Sequence, residues 1–177
     1  DGVYPVYAAS AQGSHFTDVD GNNYLDYLLG LGPITLGYNY ESVNNAVINQ
    51  LKSGMLFSLP HKVEVELSEL ICQVIPNTEM VKFEKSGSNA VTGAVRAARS
   101  ITNRNKIAYC GSGGVWHDWY AISISRNGGV PEFNKNLIHI FDYNDIDGLE
   151  QIFDDNPNEI AAIVIEPTVY EKPDNKF

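Results

Sequence analysis

The 177-residue chain predicts an α/β fold with a mostly parallel sheet covered by helices on both faces, preceded by a small hairpin and helix segment. Three observations point there. Beyond Pro76, apolar strand patterns alternate with helical ones, the rhythm of a parallel sheet whose connections are helices. Before it, short alternating segments flank an Asp-Gly turn, the signal of a β-hairpin. With 44% hydrophobic and 19% charged residues, the chain has enough apolar surface for a sizeable core. The expected division is residues 1–60 for the hairpin, a glycine-rich loop and a helix, and residues 61–177 for the first part of a larger α/β domain.

Residues 16–19 and 24–27 flank Asp20-Gly21-Asn22-Asn23 and form the hairpin. Gly30, Gly32, Pro33 and Gly37 punctuate residues 28–40, which read as a loop. Val43, Ala46, Val47 and Leu51 recur at helical spacing, so a helix starts near Glu41 or Ser42 and stops by Gly54. A linker at 56–60 leads to a second helix, with Val63, Leu67, Leu70, Ile71 and Val74 on one face, ending before Pro76. Its Glu64, Glu66 and Glu69 form a solvated face and receive no catalytic role. Residues 80–84 predict a strand, 89–102 an alanine-rich helix and 106–110 a strand. A glycine-rich loop at 111–114 then runs into Trp116-His117-Asp118-Trp119-Tyr120. A strand at 137–141, a helix marked by Ile146, Leu149, Ile152 and Phe153, and a strand at 160–165 complete the pattern.

Twelve basic against 22 acidic residues give a net charge of −10 at pH 7. No basic patch is interleaved with aromatics, so nucleic acid is not an expected partner. No apolar run approaches the ~20 residues of a membrane span, and the N-terminus lacks a charged-then-apolar signal segment. These features predict a cytoplasmic chain that does not engage a membrane. Cys72, in a helical pattern, and Cys110, ending a strand, read as buried reduced thiols. His15, His61, His117 and His139 are scattered without ligand spacing, so no metal site is expected. His139, inside an apolar strand, reads as a satisfied core histidine.

The most informative stretch is Phe83-Glu84-Lys85-Ser86-Gly87-Ser88-Asn89-Ala90-Val91, where a strand ends in Ser-Gly-Ser and passes into the alanine-rich helix. Backbone N–H groups at a helix start are unpaired, and the helix dipole puts partial positive charge there. Glycine admits close approach and two hydroxyls add donors. The junction suits a phosphate-bearing small molecule, while Ser and Asn are equally ordinary helix caps. In open α/β sheets ligands lie at the carboxyl ends of strands. Ser86, the loop from Gly111 to His117, and Glu166 each follow a strand and are expected to converge on one crevice. Other chemistries find less support. There is no P-loop, and Gly111-Ser112-Gly113-Gly114-Val115-Trp116 places tryptophan where a dinucleotide fingerprint needs its third glycine. No Gly-x-Ser-x-Gly surrounds Ser86 or Ser88.

Several blocks, in their order and spacing, resemble the class III pyridoxal-phosphate aminotransferases, and especially the glutamate-1-semialdehyde aminomutase-like branch. They are Asp18-Val19-Asp20-Gly21-Asn22, Gly32-Pro33-Ile34-Thr35-Leu36-Gly37, Glu64-Val65-Glu66-Leu67-Ser68-Glu69-Leu70, Ser86-Gly87-Ser88-Asn89-Ala90, Ala94-Val95-Arg96-Ala97-Ala98-Arg99 and Ile163-Val164-Ile165-Glu166-Pro167. The resemblance implies a fold-type I architecture, pyridoxal 5'-phosphate as cofactor, and transfer of an amino group between small-molecule amine and carbonyl substrates. It implies that Ser86, Gly87 and Ser88 hold the cofactor phosphate, in agreement with the chemistry of the junction. Trp116-His117-Asp118 best matches the family's Tyr-His-Gly, which implies Trp116 stacked on the cofactor ring with His117 beside it. Asp118 replaces the glycine of that motif, and Asn89 replaces an acidic residue common after Ser-Gly-Thr. Glu166 matches the glutamate that borders the crevice, and Ser58 falls in a segment matching a substrate-facing one.

The family's chemistry needs a lysine that forms the Schiff base and an acidic partner for the pyridinium nitrogen, both downstream of the Glu-Pro motif. None of the eight lysines sits in a segment resembling that site. The resemblance therefore implies no catalytic residue in this chain and an incomplete, inactive N-terminal part of an aminotransferase. A start without methionine and a stop soon after an apolar strand agree with that expectation. Family members are dimers, so a homodimer is expected by analogy. The rival reading is a non-catalytic pseudoenzyme segment that binds a phosphorylated metabolite or a protein.

Overall fold

The structure is a computed structural model and describes residues 5–110, 117, 127–168 and 172–174. The chain divides into two compact units, Asp1–Glu79 and Met80–Phe177.

In the first unit, β1 (Ala8–Gln12), β2 (His15–Asp18) and β3 (Asn23–Leu25) form an antiparallel sheet in that order. The expected hairpin is β2–β3, in which Phe16 faces Tyr24 with ring centroids 5.2 Å apart. Asp18 organises its turn. The buried carboxylate accepts the N–H of Asp20 at 2.9 Å, the N–H of Asn22 at 2.8 Å and the Tyr24 hydroxyl at 3.0 Å. The side chain of Asn22, first among these donors, holds the Asp18 carboxyl below the ordinary carboxylate range. β1 has no counterpart in the apolar pattern, because Ala-Ala-Ser-Ala-Gln contains no β-branched or aromatic residue.

Residues 28–40 form the expected loop, with a short 3-10 turn at Leu29–Leu31. Asp26 anchors both its ends, accepting the N–H of Leu28 and of Leu29 through Oδ1 and the Tyr38 hydroxyl at 2.7 Å through Oδ2. Gly13 and Tyr38 exchange two backbone hydrogen bonds. That approach is so close that a Cβ on Gly37 would stand 3.0 Å from the Gly13 carbonyl oxygen, and Gly37 has φ +87°. α1 (Glu41–Leu51) and α2 (Lys62–Val74) follow where the periodicity predicts them. His61 caps α2 by accepting the Val63 N–H at 3.2 Å on Nδ1. The helix ends at Ile75, as a residue before proline must leave the α region. Neither helix has a buried residue among those described.

The second unit carries a parallel sheet in the order β5 (Ile138–Ile140), β4 (Lys106–Cys110), β6 (Ile160–Ile165). Successive side chains of β4 alternate between its faces. On one face, Ile107 and Tyr109 pack with Val91 and Val95 of α3 (Gly87–Thr102). On the other, Ala108 and Cys110 pack with Leu149 and Ile152 of α4 (Ile146–Asp155). The sheet is parallel and covered by helices on both faces, as the alternation predicts. α3 ends at Asn103, whose φ of 56° lies in the left-handed region, and the chain enters β4 at Lys106. So short a connection makes the helix run back along the strand. The start of α3 therefore shares a rim with the carboxyl ends of β4 and β6.

Residues 80–84 depart from expectation, because they do not form a strand. A strand exists through its ladder partner, and among the described residues none pairs with this segment; Met80 is 88% exposed. The Glu84 carboxylate pairs with Lys82 at 2.6 Å. It also lies beside Gly93 of α3, 3.6 Å from where a Cβ would be. Cys72 and Cys110 are both free, Cys110 buried and Cys72 half-buried.

His139 also differs from the satisfied core residue the strand pattern suggests. It pairs in register with Ala108, and its Nε2 is buried without a partner among the described residues. Burial, helped by Lys106 and opposed by Glu159 and Asp155, pushes its pKa below the ordinary 6.5. The folded chain then resists protonation while the unfolded chain accepts it, so stability falls as pH drops below about 6.5. Urea midpoints at about pH 7.5 and about pH 5.5 should show a larger acid loss for wild type than for His139→Leu. In the first unit, Gly37→Ala forces a side chain into left-handed geometry against Gly13. It should lower stability by about 1–2 kcal/mol in thermal unfolding.

Candidate functional site

The start of α3 is built by three residues with separate tasks. Ser86 is the N-cap, with extended backbone at φ −150° and ψ 163°. Its Oγ accepts the Asn89 N–H at 3.2 Å and donates to Asn89 Oδ1 at 2.6 Å. This reciprocal pair satisfies the third amide of the helix. It leaves the N–H groups of Gly87 and Ser88, which meet no acceptor among the described residues. A Cβ on Gly87 would touch nothing within 4 Å, so the approach to these amides is open. No acidic residue stands in the first turn of α3. Lys85 precedes the cap, and Glu84 is engaged by Lys82. Two amides without an acceptor among the described residues, an exposed glycine and an uncompensated dipole end are the features that anion binding at a helix start draws on. The cap and the cradle coexist, since they draw on different amides.

Thr92 lies one helical turn beyond Ser88 and on the same flank of α3. Its Oγ1 is 2.5 Å from Nδ1 of His117, and both side chains are half-buried. This bond brings His117 onto the flank of the helix that carries Ser88. Glu166 follows β6 directly and is exposed. Ile165 is the register partner of Cys110, so Glu166 leaves the sheet level with the end of β4. Its charge is felt at Tyr109, whose phenol is pushed above its ordinary pKa by burial first and by Glu166 second. Ser86, Gly87, Ser88 and Glu166 thus lie at element ends on the carboxyl-end side of the sheet, and His117 lies on the flank of α3 at Thr92.

Trp116 lies outside the described residues. Ser58 is exposed in the linker of the first unit. A depression of about 270 Å³ nearby is walled by Gln50, Met55, Leu56, Phe57, Leu59 and His61 among others, without Ser58. Among the described residues no group of His, Cys, Asp and Glu is arranged to hold a metal ion. Sequence reasoning does not find Thr92. It stands in an alanine-rich helix with no local signal, and its partner is 25 residues away.

The family model described as Aminotransferase class-III matches residues 1–172. A 3-aminobutyryl-CoA aminotransferase from Cloacimonas acidaminovorans (strain Evry) is 40% identical, over 94% of this chain and 39% of its own length. A glutamate-1-semialdehyde 2,1-aminomutase from Archaeoglobus fulgidus is 37% identical, over 94% of this chain and 42% of its own length. Among solved structures, the FumI protein of Sphingopyxis sp. MTA144, in its pyridoxal-phosphate form, superposes with a TM-score of 0.88 at 25% identity. It covers 97% of this chain and 41% of that one. The chain spans about two-fifths of the length of the curated relatives it matches. Its architecture is the expected fold-type I arrangement, present in part. The cofactor that the relatives point to is pyridoxal phosphate, and the open amides of Gly87 and Ser88 fit its phosphate group.

The double use of the α3 start separates two effects of mutation. Ser86→Ala removes the cap and should cost about 1 kcal/mol in urea unfolding. Ser86→Asp restores the cap, because its carboxylate accepts the same amide, yet sets a negative charge where an anion would sit. Calorimetric titration with inorganic phosphate should therefore show Ser86→Asp stable and unable to bind.

Proposed function

Because the chain belongs to the class-III aminotransferase family, we propose that it is the N-terminal part of a pyridoxal-phosphate-dependent aminotransferase or aminomutase. The whole protein would move an amino group between a small-molecule amine and a carbonyl substrate. The observation that supports this reading most is the open start of α3, with an exposed glycine and two amides that meet no acceptor among the described residues, at the carboxyl-end rim of a parallel sheet.

Each residue then has a task. Gly87 and Ser88 donate their backbone N–H groups to the cofactor phosphate, the Ser88 hydroxyl adds a further donor, and Ser86, whose one hydroxyl proton goes to Asn89, holds the helix start in place as its cap. Trp116 stacks on the ring and His117 lies beside it. Glu166 borders the crevice at the end of β6, and Ser58 contacts substrate. Pyridoxal phosphate, when bound, supplies an electron-withdrawing ring that stabilises charge on the substrate carbon. The residues of this chain anchor and orient it. None of the eight lysines lies in a segment resembling the lysine site of the family, so residues 1–177 alone bind without turning over substrate.

The protein so read is a cytoplasmic homodimer. Its free cysteines suit a reducing compartment, and among the described residues no helix is long and apolar enough to cross a membrane. The exposed apolar faces of α1 and α2 suit a covered interface.

The test is cofactor uptake by the full-length protein, followed by tryptophan fluorescence and by absorbance of the bound chromophore. Pyridoxal phosphate should bind saturably, and Ser86→Asp should weaken it by about tenfold or more, the equivalent of ~1.4 kcal/mol. A folded full-length protein that takes up no pyridoxal phosphate overturns the reading.

A further inference from the structure

The hydroxyl of Thr92 is used unusually for its place. Two other hydroxyls within the helices fold back on their own backbone. Ser68 donates to the Glu64 carbonyl and Thr102 to the Ala98 carbonyl, each at 2.7 Å. That habit is the ordinary fate of a hydroxyl inside a helix. Thr92 instead reaches out of α3 to His117. Threonine is also a poorer helix former than the alanines around it, so its hydroxyl is retained at some cost to the helix.

We infer that Thr92 is a positioning residue that holds His117, by its Nδ1, one helical turn from the Ser86-Gly87-Ser88 cradle. The inference rests on the reading of that cradle as the phosphate site of pyridoxal phosphate. A neutral imidazole has one donor and one acceptor nitrogen, and the bond made by one decides what the other offers. With Nδ1 taken by Thr92, only Nε2 is left for a ligand, in a single protonation form set by the direction of the hydroxyl bond. Ser88 and Thr92 are separated by about 6 Å along the helix. His117 is therefore held on the flank of α3 about one helical turn from the amides of Gly87 and Ser88, within reach of a molecule whose phosphate they bind. Thr92 touches neither and acts only through the ring it holds.

The test uses the full-length protein with Thr92→Val, which keeps the shape and removes the hydroxyl, and Thr92→Ser, which keeps the hydroxyl. Thr92→Val should raise the dissociation constant of pyridoxal phosphate by about 5- to 10-fold, the loss of one hydrogen bond. Thr92→Ser should restore it to within about twofold, and affinity for inorganic phosphate should stay within about twofold in both. Long-range proton–nitrogen NMR of the His117 ring should show one tautomer in wild type and Thr92→Ser, and a mixture in Thr92→Val. Unchanged cofactor affinity in Thr92→Val, no rescue by serine, or phosphate affinity falling in step would overturn the inference. Should wild type bind no pyridoxal phosphate, the proposed function fails, and the ring tautomer still decides whether Thr92 holds His117. Thr92→Ala, lacking the hydroxyl and favouring the helix, replaces valine if the latter does not fold.

Discussion

The return of α3 onto the sheet through Asn103 decides where the second unit can act. Val91 and Val95 fix the helix against Ile107 and Tyr109, and the left-handed residue after the last turn sends the chain straight into β4. Around that turn several polar groups pair. Arg104 donates to the Ile160 carbonyl at 3.1 Å, Lys106 meets Asn156 at 2.7 Å and Glu159 at 2.8 Å, and Arg99 Nε donates to the Asn105 carbonyl at 2.8 Å. At the opposite rim the amides of Gly87 and Ser88 are open. One end of the helix is stitched to the sheet, and the other presents its unpaired donors. A ligand held there gains a rigid frame whose ordering is complete before it arrives.

The start of α3 reconciles two demands that compete in a shorter motif. A helix needs its first amides satisfied, and an anion site needs them free. Ser86 and Asn89 satisfy the third amide through a closed pair, leaving the first two. Asn89 matters for its lack of charge as much as for its bond. A carboxylate at this position would serve the cap equally well and would oppose a phosphate dianion one turn away. The neutral amide preserves the full attraction of the helix end for a negative group.

The helices and the parallel strands of the second unit are legible in the sequence because each signal is local and repeated. Val91 and Val95 share a face, and 160–165 is a continuous apolar run between turn residues. Ser86 is legible as well, because capping and phosphate binding use the same residue types at a strand-to-helix junction. The misses share one cause. Residues 80–84 alternate like a strand, but a ladder partner is a property of distant sequence. β1 is the reverse case, a strand of small polar and alanine residues made by pairing alone. The bond from Thr92 to His117 and the lone Nε2 of His139 depend on which segments meet, and no window around either residue contains that information.

The two units obtain their order from different sources. The second has buried side chains on both faces of β4, with Ile107 and Ala108 fully enclosed. The first, among its described residues, buries no large apolar side chain and is organised by polar anchors. Asp18 holds the hairpin turn, and Asp26 ties the loop start to Tyr38. Hydrogen bonds of this kind contribute about 1 kcal/mol each and specify geometry more than they stabilise it. The apolar stripe of α2, Val63, Leu67, Leu70 and Val74, is 43–64% exposed. At about 25 cal/mol per Å², covering such a stripe contributes more than the anchors do. The amphipathic pattern of α1 and α2 therefore reads as preparation for contact.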